Sequence, residues 1–192
     1  MATSSVRITG MSIEDFVERF SAAPFELVDG EYIPMAPVLA GHGNRGANIF
    51  LSLGGYVQQN QLGKVFAETP YVIVYNSDWV TGSRVPDLMY FEAKRLTEYQ
   101  DSVPDWEQKP FILVPDLCIE IVSKNDSYSE INDKVGRYLA DGVRLIWVVD
   151  QATKSVTVHR PGHSQQMLKI GETLSDENLF GDFALPVADI FV

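Results

Sequence analysis

Two strand-like apolar segments of the chain each contain an acidic residue. Asp87 lies within residues 85–91, and Glu120 lies within residues 115–123. Because successive strand residues point to opposite faces, each carboxylate shares a face with apolar neighbours. Burial of an unpaired carboxylate is costly, so a metal ion, a buried cation or a raised pKa usually accompanies it. Two such acids on neighbouring strands predict a cation-binding site.

The composition predicts one globular domain over residues 1–192. Of the 192 residues, 45% are hydrophobic and 11% are aromatic, which argues against a disordered chain. No apolar segment approaches the roughly 18 residues that span a bilayer, and the chain starts without the apolar core of a signal peptide. Cys118 is the single cysteine, which excludes an internal disulfide and a cysteine zinc cluster. We expect a cytoplasmic protein without a membrane partner.

The net charge of −11 argues against a surface that is basic overall. Proteins that bind phosphate backbones tightly usually carry a basic face, so this charge makes a nucleic-acid partner less expected without excluding one. Bound divalent cations would offset part of the negative charge. A local basic patch near the two acids is compatible with the cations of the middle third, which are Arg84, Lys94, Arg95, Lys124, Lys134, Arg137 and Arg144.

Local signals predict a helix and a hairpin near the start of the chain. Ser12 is suited to the N-cap of a short helix over residues 13–20. Strand-like residues 25–28 and 31–33 flank Asp29-Gly30, the dipeptide that best indicates a tight two-residue turn. The chain therefore opens with an N-terminal helix and a β-hairpin.

The next part of the chain predicts a β-meander followed by a loop. Residues 92–110 are rich in charge and contain two prolines, which favours a loop with at most one helical turn. The strand-like segments of the meander are residues 65–69, 71–75 and 84–91.

Signals after the Glu120 segment predict a helix and further strands. Ser127 and Glu130 match the capping-box pattern, and Gly142 is suited to the end of the helix that they begin. Strands over residues 143–149 and 155–159 follow, and the apolar tail is expected to pack back onto the domain. The alternation of strands and helices indicates an α/β (α+β) fold.

Lys134 occupies an unusual place on this predicted helix. It lies three residues after Ile131 and four residues before Tyr138, so the stem of its side chain is on the core-facing side. A lysine at such a position either extends its amine to solvent or meets a buried carboxylate. Because the helix directly follows the Glu120 segment, we expect Lys134 to reach the neighbourhood of Glu120, while Tyr138 is interpreted as a core residue.

These motifs together resemble the PD-(D/E)XK nuclease superfamily and, within it, the Uma family of restriction endonuclease-like proteins. The resemblance covers nearly the whole chain and implies a mixed β-sheet flanked by helices, a metal-dependent phosphodiesterase site and a homodimer. The segments that carry it are residues 25–31, His42, 85–88, 115–123, 133–138, 141–143 and 146–150.

The resemblance implies specific site residues. Asp87 and Glu120 would bind Mg²⁺ or Mn²⁺, with the carbonyl of Ile121 as a third ligand, and Glu26 would be the acid of the early element. The motif has a lysine two residues after its second acid, where this chain has Val122. Members of the superfamily recruit that lysine from a following helix.

Four further residues complete the set of candidates that the resemblance suggests. Lys134 fits the displaced lysine that orients or polarises the attacking water, and Lys124 is a weaker substitute for it. Helical spacing of Ile49, Leu53, Tyr56 and Val57 predicts a helix, and His42 lies near its start. His42 is a candidate for phosphate contact or proton transfer. Lys124 and Arg137 are further candidates for contacts with DNA.

The leading hypothesis is a Mg²⁺- or Mn²⁺-dependent endonuclease that hydrolyses DNA phosphodiester bonds. A second hypothesis is a catalytically inactive binding or assembly module with the nuclease fold, motivated by Val122 and by the net charge of −11. A third is a small metal-dependent hydrolase whose substrate is not a nucleic acid.

Overall fold

The computed structural model of the chain describes residues 9–123 and 126–192. These residues form two compact units that alternate along the sequence. None of their helices has both the length and the apolar character that a membrane crossing requires. One domain over residues 1–192 stays a prediction. The first unit holds the described residues up to Ala36, Pro70–Val85 and Asp105–Leu113, and the second holds Pro37–Thr69, Pro86–Pro104 and the described part of Val114–Val192.

Helices and strands alternate along the described part of the chain. The helices are α1 (Ile13–Ala22), α2 (Ala40–Ile49), α3 (Gly55–Gln59), α4 (Ala93–Ser102), α5 (Tyr128–Asp141), α6 (Glu177–Phe180) and α7 (Val187–Ile190). A π-helical segment, Phe50–Gly54, joins α2 to α3, and Trp106–Gln108 forms a 3₁₀ turn. The strands are β1 (Met11–Ser12), β2 (Phe25–Val28), β3 (Glu31–Pro34), β4 (Gly63–Ala67), β5 (Tyr71–Val74), β6 (Trp79–Arg84), β7 (Leu88–Glu92), β8 (Leu117–Val122), β9 (Leu145–Asp150), β10 (Ser155–His159), β11 (Gln166–Lys169), β12 (Thr173–Leu174) and β13 (Leu185–Pro186).

The first unit contains the predicted helix and hairpin. The Ser12 hydroxyl caps α1 by accepting a hydrogen bond from the Asp15 backbone N–H at 3.0 Å. Strands β2 and β3 pair antiparallel around Asp29 and Gly30, whose φ angles of 51° and 85° are those of a tight two-residue turn. Both predictions are confirmed. A second, three-stranded sheet in this unit has the order β1-β6-β5.

The predicted strand over residues 84–91 is confirmed only for residues 88–91, and the predicted meander is wrong. The chain leaves one sheet after Arg84 and enters another at Leu88, so β6 pairs with β5 whereas β7 pairs with β4 and β8. Pro86 explains the break, because proline has no N–H to donate to a sheet and fixes its own φ angle. Asp87 therefore directly precedes strand β7.

The predicted loop over residues 92–110 is also wrong in part. Residues Ala93–Ser102 form α4, a ten-residue helix that buries Leu96 and Tyr99. Leu96 and Tyr99 are three residues apart and form a narrow apolar stripe on the helix. The loop prediction relied on the charged residues and the prolines and missed this stripe.

The second unit is built on a six-stranded mixed sheet in the order β11-β10-β9-β8-β7-β4. Strands β8 and β9 are parallel, and the other neighbours are antiparallel. Helix α5 connects the parallel pair, begins at the predicted Ser127–Glu130 capping box and ends at Gly142, whose φ of 100° favours glycine. The tail packs back as predicted, since Val187 and Ile190 are fully buried.

A buried carboxylate anchors the start of β8. Asp116 has no solvent exposure and lies 2.6 Å from an Arg95 guanidinium nitrogen and 3.0 Å from one of Arg144. The backbone N–H of Glu92 donates a third bond to it at 2.9 Å. This network joins the end of β7, helix α4 and the start of β9, so it has a structural role.

Candidate active site

Asp87 lies beside the Glu120–Ile121 peptide because of the register between β7 and β8. Leu88 pairs with Ile119 in this antiparallel pair. Asp87, which precedes Leu88, therefore lies nearer the C-terminal end of β8. Its Oδ2 accepts a hydrogen bond from the Ile121 backbone N–H at 2.6 Å. One candidate acid is thus fixed to the residue that follows the other.

The second oxygen of the Asp87 carboxylate faces His42 on helix α2. The His42 Nε2 lies 2.9 Å from Asp87 Oδ1, with about one fifth of each side chain exposed. Nε2 has no aligned hydrogen-bond acceptor among the described residues, so the contact is close without ideal geometry. The interaction with Asp87 raises the pKa of His42 above its usual 6.5, with help from the charges of Glu120 and Asp126 and against the effect of burial. The Asp87 carboxylate therefore stabilises the protonated form of His42.

Helix α5 contacts both oxygens of the Glu120 carboxylate. The Lys134 Nζ donates to Oε2 at 2.8 Å, and the Tyr138 hydroxyl donates to Oε1. These two residues are four positions apart, so they lie on one face of the helix. Glu120 itself is only 4% exposed, which makes it one of the few buried acids of the described chain.

The pKa of Glu120 is raised from 4.5 to about 7, mainly by burial and also by the negative charge of Asp87. The Lys134 ammonium and the hydrogen bonds from Lys134 and Tyr138 act in the opposite direction. The lysine thus compensates for only part of the cost of ionising Glu120. A carboxylate that is buried, close to a second carboxylate and incompletely compensated favours an additional cation.

Asp87 and Glu120 fit Mg²⁺ or Mn²⁺ in donor type and in charge, because both metals prefer carboxylate oxygens. Across residues 9–123 and 126–192, no cluster of three or more His, Cys, Asp or Glu side chains is arranged to hold a metal ion. Two carboxylates remain a suitable set for magnesium, since it retains several water ligands. The role of the Ile121 carbonyl stays a prediction.

Glu26 belongs to the first unit. The residue is 6% exposed, and its Oε1 accepts a hydrogen bond from the Val85 backbone N–H at 2.9 Å. This bond ties the hairpin to the residue that follows β6. It gives Glu26 a structural role, and its catalytic role stays a prediction.

Of the two cations predicted to contact DNA, the structure describes Arg137 and does not describe Lys124. Arg137 is partly buried on α5, and its Nε has no hydrogen-bond partner among the described residues. Lys124 lies outside the described residues.

Sequence reasoning missed the polar role of Tyr138, which is a core residue whose hydroxyl contacts Glu120. The four-residue spacing from Lys134 was the available signal, because it places both residues on the same helix face. Asp126 was also missed. It accepts a hydrogen bond from the Ser123 N–H at 2.7 Å, and its charge contributes to the raised pKa of His42.

Comparison with known proteins gives a family and a fold. Residues 13–188 match the model of the Uma2 family, described as "Putative restriction endonuclease". The structure is similar to that of a putative nuclease belonging to DUF820 from Anabaena variabilis ATCC 29413, with a TM-score of 0.73 and 19% identity over 91% of this chain and 96% of that chain. A cryoEM structure of a DrdV-DNA complex has a TM-score of 0.33 and 13% identity over 68% of this chain and 84% of that chain, too low to bear on this protein. No curated protein matches the sequence.

The likeness to the Anabaena protein confirms the predicted fold class, a mixed sheet flanked by helices. The match to the family model extends from the first helix to the last one. The chain therefore belongs to the Uma2 family of restriction endonuclease-like proteins.

Proposed function

We propose that this protein is a Mg²⁺- or Mn²⁺-dependent endonuclease that hydrolyses phosphodiester bonds in DNA. The observation that carries the proposal is the cluster of Asp87, Glu120 and Lys134. Asp87 accepts a hydrogen bond from the backbone N–H of Ile121, the residue after Glu120, and Lys134 donates one to the Glu120 carboxylate. The family description and the nuclease-like fold support the same reaction class. We further propose that the enzyme acts in the cytoplasm as a homodimer, as the family resemblance suggests.

In this proposal Asp87 and Glu120 hold the metal ion. When bound, the ion would supply a Lewis acid that stabilises charge on the phosphoryl oxygens and on the leaving group. Lys134 and Tyr138 fix the two oxygens of Glu120, and the Ile121 N–H fixes one oxygen of Asp87. Such partners orient ligand carboxylates and limit their rotation before any ligand binds.

Lys134 would position the attacking water. An ammonium group has three N–H donors, so its bond to Glu120 is compatible with a second bond to a water molecule. Val122 is apolar and cannot take this part. His42, with its raised pKa, would place positive charge near the substrate phosphate.

The inactive-module hypothesis is the second candidate, and one observation favours it. All four carboxylate oxygens of Asp87 and Glu120 contact a protein group, namely His42, the Ile121 N–H, Lys134 and Tyr138. Such a cluster can persist without a metal ion. It would then serve to hold α2 and α5 against the sheet.

A cleavage assay separates the two candidates. We expect the wild-type protein to cut plasmid or oligonucleotide DNA with Mg²⁺ or Mn²⁺ and to lose all cutting in excess chelator. Lys134→Met should reduce the rate about 10²- to 10⁴-fold, because the water would lose its positioning group. Lys94→Met, which removes an exposed helical lysine, is the matched control and should cut normally. Absence of cutting by wild-type protein with either metal would support the inactive module.

The raised pKa of Glu120 gives a pH prediction for the metal-free protein. We expect the ¹³C shift of the Glu120 carboxyl to titrate with a midpoint near 7 rather than near 4.5, because burial disfavours the anion. The folded-state pKa lies above the unfolded one. The stabilising contribution of the protonated form is therefore complete below about 4.5 and is lost as the pH rises through about 7. Metal affinity should fall below that pH. A titration midpoint near 4.5 would show that burial does not raise the pKa of Glu120 in the metal-free protein.

A further inference from the structure

Helix α2 brings His42 to Asp87, although its own sequence favours a helix only weakly. Three of its ten residues are glycines, Gly41, Gly43 and Gly46. Glycine disfavours a helix interior more than any residue except proline, because it loses the most backbone entropy. The residue at the N-cap is Leu39, whose apolar side chain cannot cap the first turn. Contacts with the rest of the second unit must therefore hold α2 in place.

Two asparagines on α2 bond to residues 190–192. The Asn44 Nδ2 donates to the Val192 carbonyl at 2.8 Å. The Asn48 Nδ2 donates to the Ile190 carbonyl at 3.2 Å and to the Val192 carbonyl at 3.1 Å. Because Asn44 and Asn48 are four residues apart, they share one face of the helix. Three hydrogen bonds thus attach this face of α2 to residues 190–192.

The segment that accepts these bonds is itself fixed to the core. Helix α7 buries Val187 and Ile190 completely. The Val187 N–H donates to the Glu172 carbonyl, between β11 and β12, at 3.0 Å. The support for α2 is therefore a packed part of the second unit.

The opposite side of α2 faces the candidate site. His42 precedes Asn44 by two residues, which places it about 200° around the helix. There its Nε2 lies 2.9 Å from Asp87 Oδ1. One side of α2 thus contacts a candidate metal ligand, and the other side is bonded to residues 190–192. Loss of order or a change of tilt in α2 would move His42 relative to Asp87.

We propose that Asn44 and Asn48 are positioning residues of the candidate site, which keep α2 ordered and thereby keep His42 against Asp87. The effect on a substrate phosphate rests on the proposed function, whereas the order of α2 and the contact between His42 and Asp87 do not. An asparagine amide has two N–H donors, so Asn48 can satisfy two carbonyls at once. Both asparagines act through the helix and not through contact with substrate.

Hydrogen exchange in the protein without metal or DNA tests the order of α2. Asn48→Val removes both donors, and valine has nearly the same helix propensity as asparagine. Protection of the α2 amides should fall about tenfold in this variant, because two hydrogen bonds are lost, while protection of α5 stays at the wild-type value. Gln59→Val, which removes an exposed amide side chain from α3, is the control and should change α2 protection by less than about twofold.

Gly43→Ala in the Asn48→Val background separates helix order from a general loss of packing. A Cβ at Gly43 would meet Val38 Cγ1 at 3.8 Å, which is an ordinary van der Waals contact. Alanine favours the helix over glycine, so the added substitution should raise α2 protection about fourfold.

NMR signals of the His42 ring at one fixed pH test the positioning role. In the Asn44→Val/Asn48→Val protein, these shifts should move toward those of urea-unfolded protein while circular dichroism still shows a folded chain. Gly43→Ala should return them part of the way. Asn48→Val alone provides the test should the double variant unfold.

Wild-type α2 protection in Asn48→Val, an equal loss in Gln59→Val, or wild-type His42 signals in a protein with a loosened α2 would overturn the inference. A protein that meets these expectations and cuts no DNA would support the inference and contradict the proposed function.

Discussion

Glu120→Gln is expected to reduce the rate of DNA cleavage by at least about 10³-fold, because the metal would lose one of its two carboxylate ligands. Glutamine has nearly the same shape and can still accept a hydrogen bond from Lys134 or Tyr138. The substitution therefore removes the negative charge with little change in packing. Initial rates with a supercoiled plasmid in saturating Mn²⁺ measure the effect.

The matched control is Glu18→Gln, an exposed position on α1 in the first unit. It makes the same chemical change and should cut DNA at the wild-type rate. A Glu120→Gln protein that is folded and retains more than about a tenth of wild-type activity would remove Glu120 from the metal site.

The largest expected change in stability comes from Asp116→Asn. The substitution leaves Arg95 and Arg144 without the carboxylate that both contact at the start of β8. Removal of one partner of a buried ion pair typically costs 3–5 kcal/mol. We expect about 3 kcal/mol for this variant, because the two arginines are 35% and 48% exposed and can regain water.

Urea unfolding followed by tryptophan fluorescence measures this change in the free energy of unfolding. Asp101→Asn, an exposed position on α4, is the control and should change it by less than about 0.5 kcal/mol. A similarly small effect of Asp116→Asn would mean that the network contributes little to stability.

Features that depend on local chemistry could be predicted from the sequence. The hairpin at Asp29-Gly30 and the capping box at Ser127 involve residues close in sequence, so a short pattern specifies them. The approach of Lys134 to Glu120 followed from helical spacing together with a short connection from β8 to α5.

Features that depend on distant pairing could not be predicted in this way. The break at Pro86 sends β6 and β7 into different sheets, and only the identity of their distant partner strands reveals it. The contact between His42 and Asp87 likewise joins residues 45 positions apart, with no periodic signal. The apolar face of α5 predicted the burial of Tyr138. It gave no sign that the Tyr138 hydroxyl donates a hydrogen bond to Glu120.

The proposed nuclease activity depends above all on a metal site formed by Asp87 and Glu120. A calorimetric titration of Mn²⁺ into metal-free protein, compared with Asp87→Asn and with the Asp101→Asn control, tests this site without any cleavage. We predict saturable binding by the wild type and the control, and an affinity at least about tenfold lower for Asp87→Asn. Equal Mn²⁺ affinity in the wild type and Asp87→Asn, or no saturable binding by the wild type, would contradict the assignment.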